Sequence, residues 1–263
     1  PDADIQANFV DPGAENEAEL ATNLIGTTEV TLDGTRGLVR TQQTEFGNLI
    51  AESLLWQGQQ LADQFGVGAP VVGIQNGGGI RNSVVIPAGS DITELDTFTT
   101  LPFPNFVTVI SDVSGDLFKE VLENAVSRVE DVSGRYAQIA GFKLGIDLEA
   151  DPGSRVIDVT LDDGTEIVVN GKVVGGAPAI NVATIDFLAR GGDDYPWSEQ
   201  PATSVGVSYQ QALANYITDS LGGTVTADDV TADSVFATTF DPDEPAPGGS
   251  GGGSDDGSVS VPE

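Results

Sequence analysis

A mixed α/β (α+β) domain over residues 23–240 is predicted by two patterns in the sequence and by the way they alternate. Short apolar or alternating runs have the period of strands, and other stretches carry the mixed three- and four-residue spacings of amphipathic helices. The two kinds are interspersed along the chain. Residues 25–32 alternate apolar and polar before Asp33-Gly34, the pattern of a half-buried strand ending in a turn. From Gly47 onward, Leu49, Ile50, Leu54, Trp56, Leu61 and Phe65 outline one face of a helix that ends near Gly66. Residues 71–75 read as a short strand. Residues 87–92 read as a loop leading to 98–103, and another strand follows at 106–111. Ser114 is the expected N-cap of a helix through Leu117, Val121, Leu122, Ala125 and Val126, with Glu120 and Glu123 among its polar positions. Residues 136–146, 156–161 and 166–170 alternate like antiparallel strands, the last two joined across Asp162-Asp163-Gly164 as a hairpin. Residues 179–183 read as a buried strand, and 209–221 as a helix stopped by Gly222-Gly223.

The flanks differ in composition. Residues 1–22 are acidic, with weak helical spacing from Glu15 onward, and are expected to be a linker entering from an upstream domain. Residues 241–263, dominated by Gly, Ser, Pro and Asp, offer too little apolar surface for a core and are expected to be a disordered linker.

Charge and missing residue types narrow the chemistry. Forty-one acidic residues against ten basic ones give a net charge of −31, which repels DNA and anionic lipid, so nucleic acid is not an expected partner. Such an acidic surface suits a saline, extracellular setting, where self-repulsion is screened. With no cysteine, disulfides and thiolate chemistry are unavailable; with no histidine, so are the usual neutral-pH base and the commonest transition-metal ligand. Asp147, Glu149 and Asp151 lack the glycine and terminal glutamate of an EF-hand loop and read as a solvated face. No apolar run reaches the roughly eighteen residues of a membrane span. Methionine is absent even at position 1, which leads us to expect a longer precursor.

Four segments carry the candidate chemistry. The first is Asn76-Gly77-Gly78-Gly79-Ile80-Arg81, at the end of a predicted strand. Consecutive glycines are kept where φ is positive or where a ligand must approach the main chain, and the arginine fork matches two oxygens of a phosphate or carboxylate. Alone, this hexapeptide fits a glycine turn with a solvated arginine equally well. The second is Leu101-Pro102-Phe103-Pro104-Asn105, a phenylalanine in a loop stiffened by two prolines. The third runs from Asp186-Phe187 to Gly191-Gly192-Asp193-Asp194, and the fourth places Arg40 ahead of the first long helix. Each phenylalanine alone fits an ordinary core position. Together the four supply the parts of a nucleotide site: two rings to sandwich a base, a carboxylate for ribose hydroxyls, and arginines for the phosphate end.

The NGGGIR run, the LPF-P-N segment and the F-x-x-x-GGD segment, in that order and at these separations, resemble the C-terminal substrate-binding domain of the 5′-nucleotidase family over about residues 24–240. The resemblance implies layered mixed sheets flanked by helices. It also implies that Phe103 and Phe187 stack on the base and that Asp193 binds the ribose. Arg40 and Arg81, with Asn76 and the Gly78 turn, would hold the ribose-phosphate end, Asn105 would contact the base, and Gly141 would line the pocket. The chain departs from the family pattern at Gln42, Gln43, Glu45 and Asp194. In the family a separate N-terminal metallophosphatase domain carries two divalent metal ions and hydrolyses the substrate, so no cofactor is expected in this chain. The expected partners are a nucleotide or nucleoside and that N-terminal domain of the same precursor. The segment before Ile25 would be the hinge between them, and the location extracellular, periplasmic or cell surface. A non-catalytic extracellular nucleotide-binding or adhesion module stands as the alternative.

Overall fold

The computed structural model describes residues 11–197, 199–230 and 235–237, so the linker expected over 241–263 and residues 1–10 of the N-terminal one lie outside the described residues. Residues Asp11–Thr22 form helix α1, and its exit is tied down: the Glu94 amide donates to Asn23 O at 2.9 Å and Asn23 Nδ2 to Glu94 Oε2 at 2.6 Å. The predicted strand at 25–32 is two strands, β1 (Leu24–Thr28) and β2 (Leu32–Asp33). Helix α2 (Glu45–Phe65) begins at Thr44, whose hydroxyl accepts from the Gly47 amide at 3.0 Å, and ends at Gly66 with φ 67°. Next come β3 (Val72–Asn76), β4 (Val85–Ile86) and β5 (Asp91–Thr93).

The stretch approaching Phe103 contains a helix, α3 (Glu94–Thr100). It is nucleated by a capping box in which Thr93 and Asp96 satisfy each other's end of the first turn, and this local pairing outweighs the strand preference of its Phe and Thr residues. Strand β6 (Phe106–Val113) leads into α4 (Gly115–Val126), capped by Ser114 as its sequence predicts. Glu123, expected on the polar side of α4, is buried. Its carboxylate accepts from Lys119 Nζ at 2.7 Å and from the amides of Arg155 and Val156 at 2.8 and 3.0 Å, so a charged side chain fastens the helix to the sheet beneath it.

Residues 136–146 do not make one strand. They divide into β7 (Ala137–Ala140) and β8 (Phe142–Ile146), which belong to different sheets. The break falls at Gly141, φ 81°, where an added Cβ would collide with Val71 O and lie 3.2 Å from Val72 Cα. Beyond it run β9 (Val156–Leu161), β10 (Glu166–Val169), β11 (Lys172–Val173), β12 (Ile180–Ile185), α5 (Asp186–Ala189), β13 (Ala202–Ser208), α6 (Tyr209–Asn215), β14 (Thr224–Val225) and β15 (Val235–Ala237). Helix α6 continues as a π-helical turn over Tyr216–Ser220, and Gly222 and Gly223, both with positive φ, redirect the chain into β14.

The central sheet has the order β13-β6-β12-β3-β7, with only β12 and β3 parallel. A second sheet, β11-β10-β9-β8-β15, continues from the turn at Gly141; β14-β1-β5 and the pair β2-β4 are smaller. Helix α2 packs on β3, β7 and β12, while α4 bridges the two large sheets, its Phe118 ring meeting Phe142 edge-on at 5.2 Å. The fully buried β3, followed at once by the glycine turn, therefore delivers Asn76 from the middle of the core to the rim of the sheet.

Gly141→Ala should cost about 2–4 kcal/mol, the sum of a left-handed φ imposed on a Cβ and overlap with main chain that cannot retreat. Urea denaturation of the two proteins measures it directly.

Candidate functional site

None of Gly77, Gly78 and Gly79 has a positive φ. They form a single 3₁₀ turn, and what requires glycine there is closeness of approach: a Cβ on Gly77 would collide with Val39 O, one on Gly79 with Gln75 Nε2, and one on Gly78 would lie 3.1 Å from Gly134 Cα. The amides of Gly77 and Gly78 donate to Tyr136 O and Gly134 O, both at 2.7 Å, so they hold the turn in place. Asn76 is oriented at both ends of its amide, with Oδ1 accepting from Gln75 Nε2 at 2.9 Å and Nδ2 donating to Asp193 Oδ2 at 2.6 Å. Past the turn, the Arg81 amide donates to Thr100 O at 2.8 Å, and the guanidinium carbon lies 5.4 Å from the centre of the Phe103 ring, a cation–π contact.

The Phe103 loop is held by the start of α6. Its amide donates to Tyr209 Oη at 3.0 Å, its carbonyl accepts from Gln210 Nε2 at 2.9 Å, and the Tyr209 amide donates to Asn105 O at 3.1 Å. Burial pushes the Tyr209 hydroxyl well above its ordinary pKa, which keeps it a neutral donor and acceptor. Phe187 sits on α5, and Gly192 lies against its ring, where a Cβ would come within 2.5 Å of Cε1 and Cζ. Both phenylalanines remain 38% exposed, in contrast to the buried rings of Phe46, Phe118 and Phe142. After Gly192, Asp193 (φ 54°) and Asp194 (φ 60°) both adopt left-handed backbone, a strain on the order of 1 kcal/mol per residue that aspartate tolerates better than most.

Arg40 is only 7% exposed, yet its Nε has no hydrogen-bond partner and no carboxylate lies within 4 Å of the guanidinium among the described residues. Burial lowers its pKa first, then the positive charges of Arg36 and Arg81, with Asp193 opposing them. A guanidinium so placed stabilises an anion brought beside it more than it stabilises the empty fold.

These residues meet in one cavity of about 440 Å³, within the range of small-molecule sites. Arg40, Asn76, Gly78, Arg81, Phe103, Asn105, Phe187 and Asp193 all line it. Gly141, the remaining candidate, does not: it lies at a second cavity, and its glycine is explained by the turn between sheets. Sequence reasoning passed over Gly134 and Ile185 in the wall and Arg36 behind Arg40. The spacing Arg36-x-x-x-Arg40 was a readable signal for the last; Gly134 and Ile185 gave none, because each is brought to the cavity by contacts remote in the chain.

The family model described as "5′-nucleotidase, C-terminal domain" matches residues 24–200. The chain belongs to this family. A 5′-nucleotidase precursor from Thermus thermophilus superposes with a TM-score of 0.73 at 26% identity, covering 88% of this chain and 43% of that one. The trifunctional nucleotide phosphoesterase protein YfkN of Bacillus subtilis is 36% identical over 69% of this chain and 12% of its own length. A snake venom 5′-nucleotidase of Macrovipera lebetinus is 30% identical over 65% of this chain and 42% of its own. The chain thus spans less than half the length of these relatives. Mixed sheets flanked by helices are the architecture of the 5′-nucleotidase C-terminal domain, as the resemblance implied.

The second cavity of this 5′-nucleotidase C-terminal domain, about 450 Å³, is acidic: Glu52, Asp162, Asp228 and Asp229 share it with Lys143 and Tyr216. Among the described residues no group of three or more His, Cys, Asp or Glu side chains is arranged to hold a metal ion. Burial, and then Asp162, raise the Glu52 carboxyl from its ordinary 4.5 to about 7. The folded chain therefore retains a proton that the unfolded chain releases between about pH 4.5 and 7. This contribution is fully present below that window and lost as pH rises through it. Glu52→Gln should remove it, so that urea denaturation at pH 5 and pH 8 shows the variant gaining on the wild type by on the order of 2 kcal/mol.

Proposed function

We propose that this chain is the nucleotide-recognition domain of a secreted or surface 5′-nucleotidase-type metallophosphoesterase. The observation that carries the reading is the sharing of one cavity by two half-exposed phenylalanine rings and a nearly buried, unpaired Arg40. The base lies between Phe103 and Phe187, with Asn105 at its edge. Asp193 accepts hydrogen bonds from the ribose hydroxyls, and Arg40 and Arg81, with Asn76, hold the ribose-phosphate end. A neutral ligand would leave Arg40 as it is; a phosphate supplies the missing counter-charge in the bidentate geometry a guanidinium prefers.

The two divalent ions implied by the family do not fit this chain. It has no histidine or cysteine, and its described residues offer no suitable cluster of carboxylates. They belong on an N-terminal metallophosphatase domain of the same precursor, where hydrolysis takes place. This chain's part is to bind and orient the nucleotide. Placement outside the cytoplasm is supported by relatives that include venom enzymes and by the acidic composition.

Calorimetric titration with AMP, adenosine and UMP tests the reading. Phe187→Ala should weaken AMP binding roughly ten- to a hundredfold, the share of one stacking face, and unchanged affinity would remove the stacking claim. Because the chain carries −31, long-range repulsion of an anion is screened by salt before the contact pairs are, so AMP affinity should rise from low to moderate NaCl. A steady fall over the same titration would contradict this.

A further inference from the structure

We propose that Arg135 is a positioning residue that fixes the Asp193 carboxylate toward the sugar of a bound nucleotide, acting through Asp194 and Asn124; the inference rests on the reading of the cavity given above. Asp193 and Asp194 are consecutive residues with left-handed backbone and no glycine between them, a conformation that persists only where neighbours hold it. The neighbours are on α4 and just beyond it. Arg135 Nη2 pairs with Asp194 Oδ2 at 2.6 Å, while its Nη1 donates to Asn124 Oδ1 at 3.0 Å and Ser127 Oγ at 3.2 Å. Asn124 Nδ2 in turn donates to the carbonyl oxygen of Asp193 itself, at 3.1 Å. From the other side, Tyr195 Oη donates to Arg135 O at 2.8 Å, so the loop and Arg135 are joined through both side chain and main chain.

Arg135 does not line the cavity, and its effect must pass through the loop. Its side chain is 14% exposed and that of Asp194 is 80% exposed. An ion pair with so exposed a member contributes little to global stability, which argues for a local role in setting the loop. The adjoining Gly134 completes the linkage: it packs against Gly78, and a Cβ there would lie 3.4 Å from Asp193 Oδ2. The loop that holds Asp193 and the turn that carries Asn76 are thereby set in register on one short segment.

The test compares AMP with 2′,3′-dideoxy-AMP in wild type, Arg135→Ala, Arg135→Lys and Asp194→Asn, together with hydrogen exchange of the amides of residues 192–195. Asparagine also tolerates left-handed φ, so Asp194→Asn retains the fold while losing the charge. In wild type AMP should bind about tenfold more tightly than the dideoxy compound. Arg135→Ala should abolish that ratio by weakening AMP alone, Arg135→Lys and Asp194→Asn should keep part of it, and loop exchange should quicken in Arg135→Ala while the central sheet is unaffected. A ratio preserved in Arg135→Ala, an equal loss for both ligands, or unchanged loop exchange would overturn the proposal. If wild type itself binds both ligands equally, or neither, the sugar-binding reading of Asp193 fails separately, and loop exchange alone then decides whether Arg135 holds the loop.

Discussion

The approach of main chain to main chain at Gly77, Gly78 and Gly134 is the constraint from which the cavity follows. Three segments distant in sequence meet there with no room for a side chain: the end of β3, the turn before Arg135, and the stretch ending in Arg40. Hydrogen bonds from Gly77 and Gly78 lock the approach, and Asn76 at its edge reaches Asp193. Any Cβ at Gly77 would push the Arg40 segment outward, and the side chains that share the cavity would no longer converge.

Electrostatically the site is the inverse of the molecule. A chain of −31 gathers Arg36, Arg40 and Arg81 near one opening, and among the described residues it leaves Arg40 nearly buried without an ion pair while four other arginines are paired with carboxylates. Pairing Arg40 internally would have been the simpler way to stabilise the fold. Of the five exposed phenylalanines among the described residues, Phe103 and Phe187 share this cavity. Such local departures from good packing and charge pairing mark where a ligand completes the structure.

Much of the fold was legible because its signals are local. The Ser114 cap, the glycine at position 66 and the hairpin at 162–164 each act within a few residues, and the structure has them where the sequence placed them. The reading at 98–103 missed a local capping box at Thr93 and Asp96, and the other readings that failed depended on distant contacts. Residues 136–146 keep a strand pattern throughout, but the chain changes sheets at Gly141 because Val71 crowds it. Glu123 has the spacing of a polar surface position, yet it is buried because two amides of a strand that follows it need an acceptor. Strand β13 escaped notice because its sequence, mostly small and polar, has little apolar alternation; pairing along β6 defines it.

The sequence alone determined the class of the domain, its membership of a family through three spaced motifs, and the residue types of the candidate site, since composition and short-range patterning are properties of the chain itself. Tertiary structure decided which of those residues share a cavity, that the glycine run serves close packing and not unusual backbone angles, and that Gly141 belongs elsewhere. It also decided that among the described residues no carboxylate pairs with Arg40. Burial and charge pairing are set by segments far apart in the chain, so they exist only once the sheets and helices have packed.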